Sequence, residues 1–114
     1  MAVAQPSAQV VREELWTSFA SLLRSYVAAH GLQHLGEDAA HVEIGGSDIL
    51  IRRGQRVVEL RLDFASGAGI WKLNGMPDGR FKLLEDGMIQ LEDESVEQMD
   101  MAAERLARAL YAMK

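Results

Sequence analysis

The stretch Val57-Val58-Glu59-Leu60-Arg61-Leu62-Asp63-Phe64 alternates apolar and polar side chains from its second residue onward. Successive side chains of a β-strand point to opposite faces. Val58, Leu60, Leu62 and Phe64 therefore share one face, and Val57, Glu59, Arg61 and Asp63 share the other. Such a strand belongs to an antiparallel sheet with one face on a core and one in water. Upstream, Arg53-Gly54-Gln55 turns the chain back from a strand over 49–53, and Gly45-Gly46-Ser47-Asp48 turns that one back from Ala40, Val42 and Ile44, which alternate with His41 and Glu43. Downstream, the glycine-rich Ala65-Ser66-Gly67-Ala68-Gly69 leads into Ile70-Trp71-Lys72-Leu73, which stops at Asn74-Gly75-Met76-Pro77-Asp78-Gly79. Strands over 80–84 and 88–92 follow, joined through Glu85-Asp86-Gly87. Every link is too short for a parallel crossover of about a dozen residues, so the reading is a meander of about six strands.

Helical periodicity flanks this sheet. Over 7–30, Leu15, Phe19, Leu22, Leu23, Tyr26 and Val27 recur at three and four residues. Pro6 and Ser7 suit the start of this helix. Gly31 suits a left-handed ending in which Leu32 folds back onto Val27. Near the end of the chain, Ser95-Val96-Glu97-Gln98 reads as a capping box opening a helix with the stripe Met99, Ala103, Leu106, Leu110 and Met113. The fold class expected is α+β: a two-layer sandwich in which the N- and C-terminal helices pack on one face of the antiparallel meander.

The 114 residues make one domain, 1–114, and 48% hydrophobic content with 2 prolines excludes a disordered or fibrous chain. Without cysteine there are no disulfides, thiolate metal sites or cysteine nucleophiles. The first residues carry no basic segment followed by an apolar one, and no run approaches the roughly 20 apolar residues of a membrane span, so a soluble, cytoplasmic protein without membrane partners is expected. The formal charge of −5 argues against nucleic acid as a partner. Negative charge is concentrated in Glu85, Asp86, Glu92, Asp93, Glu94, Glu97, Asp100 and Glu104, a stretch without a basic residue.

No catalytic, cofactor-binding or metal-binding constellation emerges. His30 and His34 have metal-ligand spacing, but a helix that breaks at Gly31 separates the two rings. Gly67-Ala68-Gly69 precedes a strand, so no helix N-terminus is there to hold phosphate. No serine sits in a nucleophile elbow. The acids around Glu92-Asp93-Glu94, Glu97 and Asp100 lack the glycine-punctuated spacing of an EF-hand loop. Arg52, Arg53 and Arg56 flank a turn, where they keep a strand end soluble.

A binding role is the better class. Trp71 and Leu73 share one face of their strand, and Ile70 and Lys72 the other. Burial statistics favour an inward Trp71. An outward Trp71 beside Arg61, Lys72 and Lys82 makes an interaction surface, with Met101, off the stripe of the last helix, as a second contact. The segment Gly69-Ile70-Trp71-Lys72-Leu73, together with the order helix, meander, helix, resembles the frataxin family. That family carries Gln-Ile-Trp-Leu here, preceded by an Asn-Lys-Gln-x-Pro run, and an acidic ridge on its first helix; this chain has Gly69 in place of the glutamine, lacks the run, and offers Glu13 and Glu14 in that helix. The resemblance implies an accessory role in metal handling or iron-sulfur assembly, with Trp71 as a sheet-surface contact. Type III secretion chaperones are similar in size, acidity and flanking helices, but have a helix between their third and fourth strands. The function expected is a small protein-interaction or adaptor module whose partner is another protein or a second copy of itself.

Overall fold

The structure, a computed structural model, describes residues 8–32, 40–73 and 78–112. The order is α1 (Ala8–Leu32), β1 (Ala40–Ile44), β2 (Asp48–Arg53), β3 (Arg56–Leu62), β4 (Ala68–Leu73), β5 (Gly79–Leu83), β6 (Met88–Leu91), β7 (Val96–Gln98) and α2 (Met99–Ala112). The strands form one antiparallel sheet in sequence order, β1 to β7. The helix start at Pro6 and Ser7, the link 33–38 with His34, the turn 74–77 and Met113 lie outside the described residues.

Register fixes which side chains share the inner face. Val42, Ile51 and Val58 stand opposite one another across β1 to β3, and Ile49, Leu60, Trp71 and Gly79 across β2 to β5. The next inner row is Leu62, Gly69, Phe81 and Leu91. Leu50, Glu59 and Lys72 lie on the outer face, as do Arg61, Ile70 and Arg80, and Lys82 opposite Gln90. Both helices cover the inner face and join one core with it.

The stripe of α1 is rotated from the expected one. Trp16, Phe19, Ala20, Leu23 and Val27 are buried, while Leu15, Leu22 and Tyr26 pack on the flank. In α2, the small Ala102, Ala103 and Ala107 are buried beside Leu110 and Tyr111, which lets its backbone lie close along α1. Arg12 ties one end of α1 to the sheet: its Nη1 donates to the carbonyls of Phe64 (3.0 Å) and Ala65 (2.9 Å), and Nη2 pairs with Glu85 at 3.5 Å.

Three expectations need correction. The first helix does not break at Gly31, and Leu32 is 73% exposed instead of folding back onto Val27. The hydroxyl of Tyr111 lies 3.0 Å from where a Cβ of residue 31 would sit, so Gly31 gives room to α2 and does not stop a helix. Arg53 is not a solvated turn residue. Its register places it on the inner face, buried, with the guanidinium 4.5 Å over the Tyr111 ring.

The third correction concerns residues 95–98. Residues 96–98 are a seventh strand paired with β6, and α2 begins at Met99. The Ser95 hydroxyl donates to Asp93 (2.5 Å) and builds a hairpin turn, so it caps nothing. This turn repeats the one before it. In Leu84-Glu85-Asp86-Gly87 and in Leu91-Glu92-Asp93-Glu94 the fourth N–H donates to the first carbonyl at 3.0 Å. In both, the aspartate accepts the N–H two residues on at 3.0 Å. Both need a left-handed residue in fourth place, filled by Gly87 (φ 87°) and by Glu94 (φ 68°). A side chain with a Cβ is disfavoured in that conformation. Glu94→Gly is therefore expected to stabilise the fold by about 0.5–1 kcal/mol and Gly87→Ala to destabilise it by a similar amount, measured by denaturant unfolding.

Candidate functional site

The middle of the inner face is built on a reciprocal pair of contacts between β4 and β5. Each strand carries glycine two residues before an aromatic residue, Gly69-Ile70-Trp71 and Gly79-Arg80-Phe81. Because the strands run antiparallel, each glycine stands opposite the other strand's aromatic residue. A Cβ on Gly79 would sit 2.0 Å from the Trp71 indole, and one on Gly69 would sit 2.2 Å from the Phe81 ring. The rings thus lie across bare backbone. Phe81 is backed by Trp16, whose ring stacks on it at 6.2 Å and 10°, and Trp16 in turn meets Phe19 at 5.6 Å.

Above these rings α2 packs chiefly on α1 and touches the sheet along β6 and β7. A cleft of about 510 Å³ remains between α2 and strands β3 to β6. Its floor is Val58, Leu60, Trp71, Phe81, Ile89 and Leu91, and its roof is Phe19, Ala102, Leu106, Ala109 and Leu110. Trp71 is half-buried, with part of its indole open to the cleft. The volume lies within the range of about 300–1,000 Å³ typical of ligand clefts.

The charged residues along the cleft, Asp78, Arg80, Glu92, Asp93 and Arg105, are all exposed. These groups are held by near neighbours. Arg105 donates to Glu97, and Glu92 accepts the Arg80 backbone N–H at 2.5 Å. Asp93 accepts the Ser95 hydroxyl and backbone N–H, and these bonds, with Arg105 nearby, hold its carboxyl below the usual carboxylate range.

Among the sequence-predicted site residues, Trp71 alone reaches the cleft. It lies on the inner face, as burial statistics favoured, so it forms no surface with the outer-face Arg61, Lys72 and Lys82. Arg61 pairs with Glu59 at 2.7 Å, and Lys72 with Asp78 at 3.9 Å. Met101 is 59% exposed on α2 and does not line the cleft. His30 stacks on Tyr111 at 6.1 Å and faces Glu104 at 3.5 Å. The Glu104 carboxyl is held low first by the bond from Arg108 and further by His30. The acidic stretch is dispersed, and among the described residues no three His, Asp or Glu side chains come close enough to hold a metal ion. Nor is any described helix long and apolar enough to cross a membrane.

Phe81, Ala109 and Arg105 were not singled out from the sequence as site residues, and Leu106 was read there only as part of the α2 stripe; the repeated Gly-x-aromatic pattern in adjacent strands is the signal that marks the first of them. No family model, curated protein or solved structure matches this chain.

Two outcomes follow from this geometry. Gly79→Ala forces the Trp71 indole off its seat and is expected to cost about 1–3 kcal/mol, with a displaced Trp71 indole N–H signal in the NMR spectrum. Asp93, with its folded pKa depressed, contributes stability present above its unfolded pKa and lost as pH falls through the folded one. Ser95→Ala should raise the NMR titration midpoint of Asp93; an unchanged midpoint would show that the hydroxyl does not hold the charge.

Proposed function

We propose that this chain is a cytoplasmic protein-binding module in which the cleft between α2 and the sheet seats apolar side chains of a partner. One observation carries the reading: a half-exposed tryptophan floors an apolar cleft that the two helices leave uncovered. Interface energy concentrates where aromatic groups line pockets that exclude water, and a cleft of this composition supplies that environment. Burying apolar surface there is worth about 25 cal/mol per Å². The charged side chains favour binding over acid–base chemistry, because they are exposed at the rim and bonded to neighbours outside the cleft floor: Asp93 to Ser95, Glu92 to the Arg80 backbone N–H and Arg105 to Glu97. A general acid or base needs to reach a bound substrate directly. A second copy of the chain is one occupant this cleft can accept, since exposed Ile70 and Met101 leave apolar contacts elsewhere on the surface.

The test uses the isotope-labelled chain with octyl glucoside, an uncharged amphiphile, below its micelle concentration. Saturable shifts are expected at the Trp71 indole and the Phe81 and Leu91 amides, and Ala109→Trp, which fills the cleft from an exposed position, should abolish them. Shifts confined to other surfaces, or unchanged in the variant, would remove the cleft from consideration. Shifts at these same residues that grow with protein concentration alone would identify a second copy as the occupant.

A further inference from the structure

We infer that β1 is a docking edge for a second copy of this chain, which pairs with it antiparallel about a two-fold axis at Val42 and joins the two sheets into one. This surface is separate from the cleft. Among the described residues β1 pairs only with β2, so one side of its backbone has no ladder. Which residues face that side follows from the hairpin. The Gly45 N–H donates to the Asp48 carbonyl at 2.9 Å, which makes 45 and 48 a hydrogen-bonded pair, and bonded pairs alternate with non-bonded ones along an antiparallel ladder. His41 and Glu43 are therefore bonded to β2, while Ala40, Val42 and Ile44 turn their N–H and C=O groups to the open edge. The far side of β2 has the matching parity, since the Leu62 N–H donates to the Ser47 carbonyl at 2.9 Å. The other edge of the sheet is short: β7 has 3 residues and runs straight into α2. β1 has 5 residues in unbroken register, without the proline, lysine or bulge that commonly guards an edge.

Charge complementarity selects a second copy as the occupant. An antiparallel partner must set edge-facing residues against edge-facing residues, which two copies of β1 achieve when centred on residue 41, 42 or 43. Centring on 41 sets His41 against His41, with Arg52 opposite each on β2, and centring on 43 sets Glu43 against Glu43. Centring on Val42 sets His41 against Glu43 of the second copy, twice, and uses all 5 residues of the strand. His41 and Glu43 are both exposed, and in that register they form non-hydrogen-bonded pairs, where facing side chains come closest. Arg52, beside His41 on the same face, adds a fixed positive charge to the half that meets Glu43. On the inner face, Ile44, 41% exposed, meets the small Ala40, and Val42 meets Val42, so the apolar row continues across the junction. The contact is isologous, each copy supplying what the other lacks. One strand pair of this length buries little area, which places the association among weak, transient ones.

The experiment follows the labelled full chain by NMR and sedimentation from about 20 µM to about 1 mM, the range in which a small interface associates. A dimer is expected to form across this range, with concentration-dependent shifts at the β1 amides and slower hydrogen exchange at Val42 and Ile44. Glu43→Lys sets lysine against His41 and Arg52, and His41→Glu sets glutamate against Glu43, so each variant alone is expected to dimerise about fivefold or more weakly. Mixed together, the two variants restore both opposite-charge pairs and are expected to associate at least as tightly as the unaltered chain. Ile44→Pro removes an N–H that faces the edge and leaves the β1–β2 ladder whole, so it should abolish the dimer. The charge swap tests the register by itself if the proline variant fails to fold. A chain that stays monomeric at about 1 mM would overturn the inference. So would a mixture that associates no more tightly than its separate variants, or a dimer that survives Ile44→Pro. Concentration-dependent shifts confined to Trp71, Phe81 and Leu91 would also overturn it and place the second copy in the cleft.

Discussion

Seven strands at a spacing of about 4.8 Å make a sheet about 29 Å across, and two helices are all that covers its inner face among the described residues. The inner face is apolar from Val42 to Ile89, so part of it must either find another cover or stay open. How the helices share the shortage is decided by their own contact. Ala102, Ala103 and Ala107 of α2, with Ala20 of α1, remove the bulk that would hold the helices apart. Drawn toward α1, and bound at its far end by Arg53 through the Tyr111 ring, α2 spans the sheet from β7 toward β2 and leaves the middle strands uncovered.

What keeps that gap a cleft is the glycine pairing beneath it. An apolar space under a helix normally collapses or fills with side chains, because interiors pack densely. Here the two largest side chains of β4 and β5 cannot rise into it without losing contact with the backbone of Gly79 and Gly69. Trp16, stacked on Phe81, fixes one ring from behind; among the described residues no ring stacks behind Trp71, which is half-buried and borders the cleft. The asymmetry between the two tryptophans follows from position alone: Trp16 is 2% exposed in the helix interface, and Trp71 stands where that interface ends.

Local pattern carried the sheet and failed where distant contacts arbitrate. The alternation in Val57 to Phe64 put Val58, Leu60 and Leu62 inside because one buried face leaves no other register. Gly31 shows the opposite case. A glycine after a helical stripe serves equally as a stop or as room for a neighbour, and the neighbour, Tyr111, lies eighty positions away. Ser95 was ambiguous in the same way, since a hydroxyl before an acid-rich run suits a helix cap or a turn, and pairing of 96–98 with Met88 to Gln90 settles it as a turn. The repeated Leu-Glu-Asp of the two hairpins stands in the sequence and went unread, because Glu94 holds the left-handed place that glycine marks in the first turn. The cleft was not, because an uncovered strip is a property of how wide the cover is, and no single residue encodes it. Trp16 was missed because a stripe of leucines beside it is consistent with a helix rotated by one residue; the stacking of Trp16 on Phe81 selects the true face.

The same arrangement keeps charge away from the apolar floor. Strand alternation sends Arg61, Lys72, Arg80 and Lys82 to the outer face together with Glu43, Asp48 and Glu59, while Asp93 and Arg105 stand at the rim of the cleft. Charge at a rim chiefly accelerates encounter and rejects wrong partners, while residence depends on how much apolar area the cleft removes from water. Changing Asp93 or Arg105 should therefore act on association rate and salt dependence, whereas changing Trp71 or filling the cleft from Ala109 should act on dissociation, so the two parts of the site are separable by kinetics even though they adjoin.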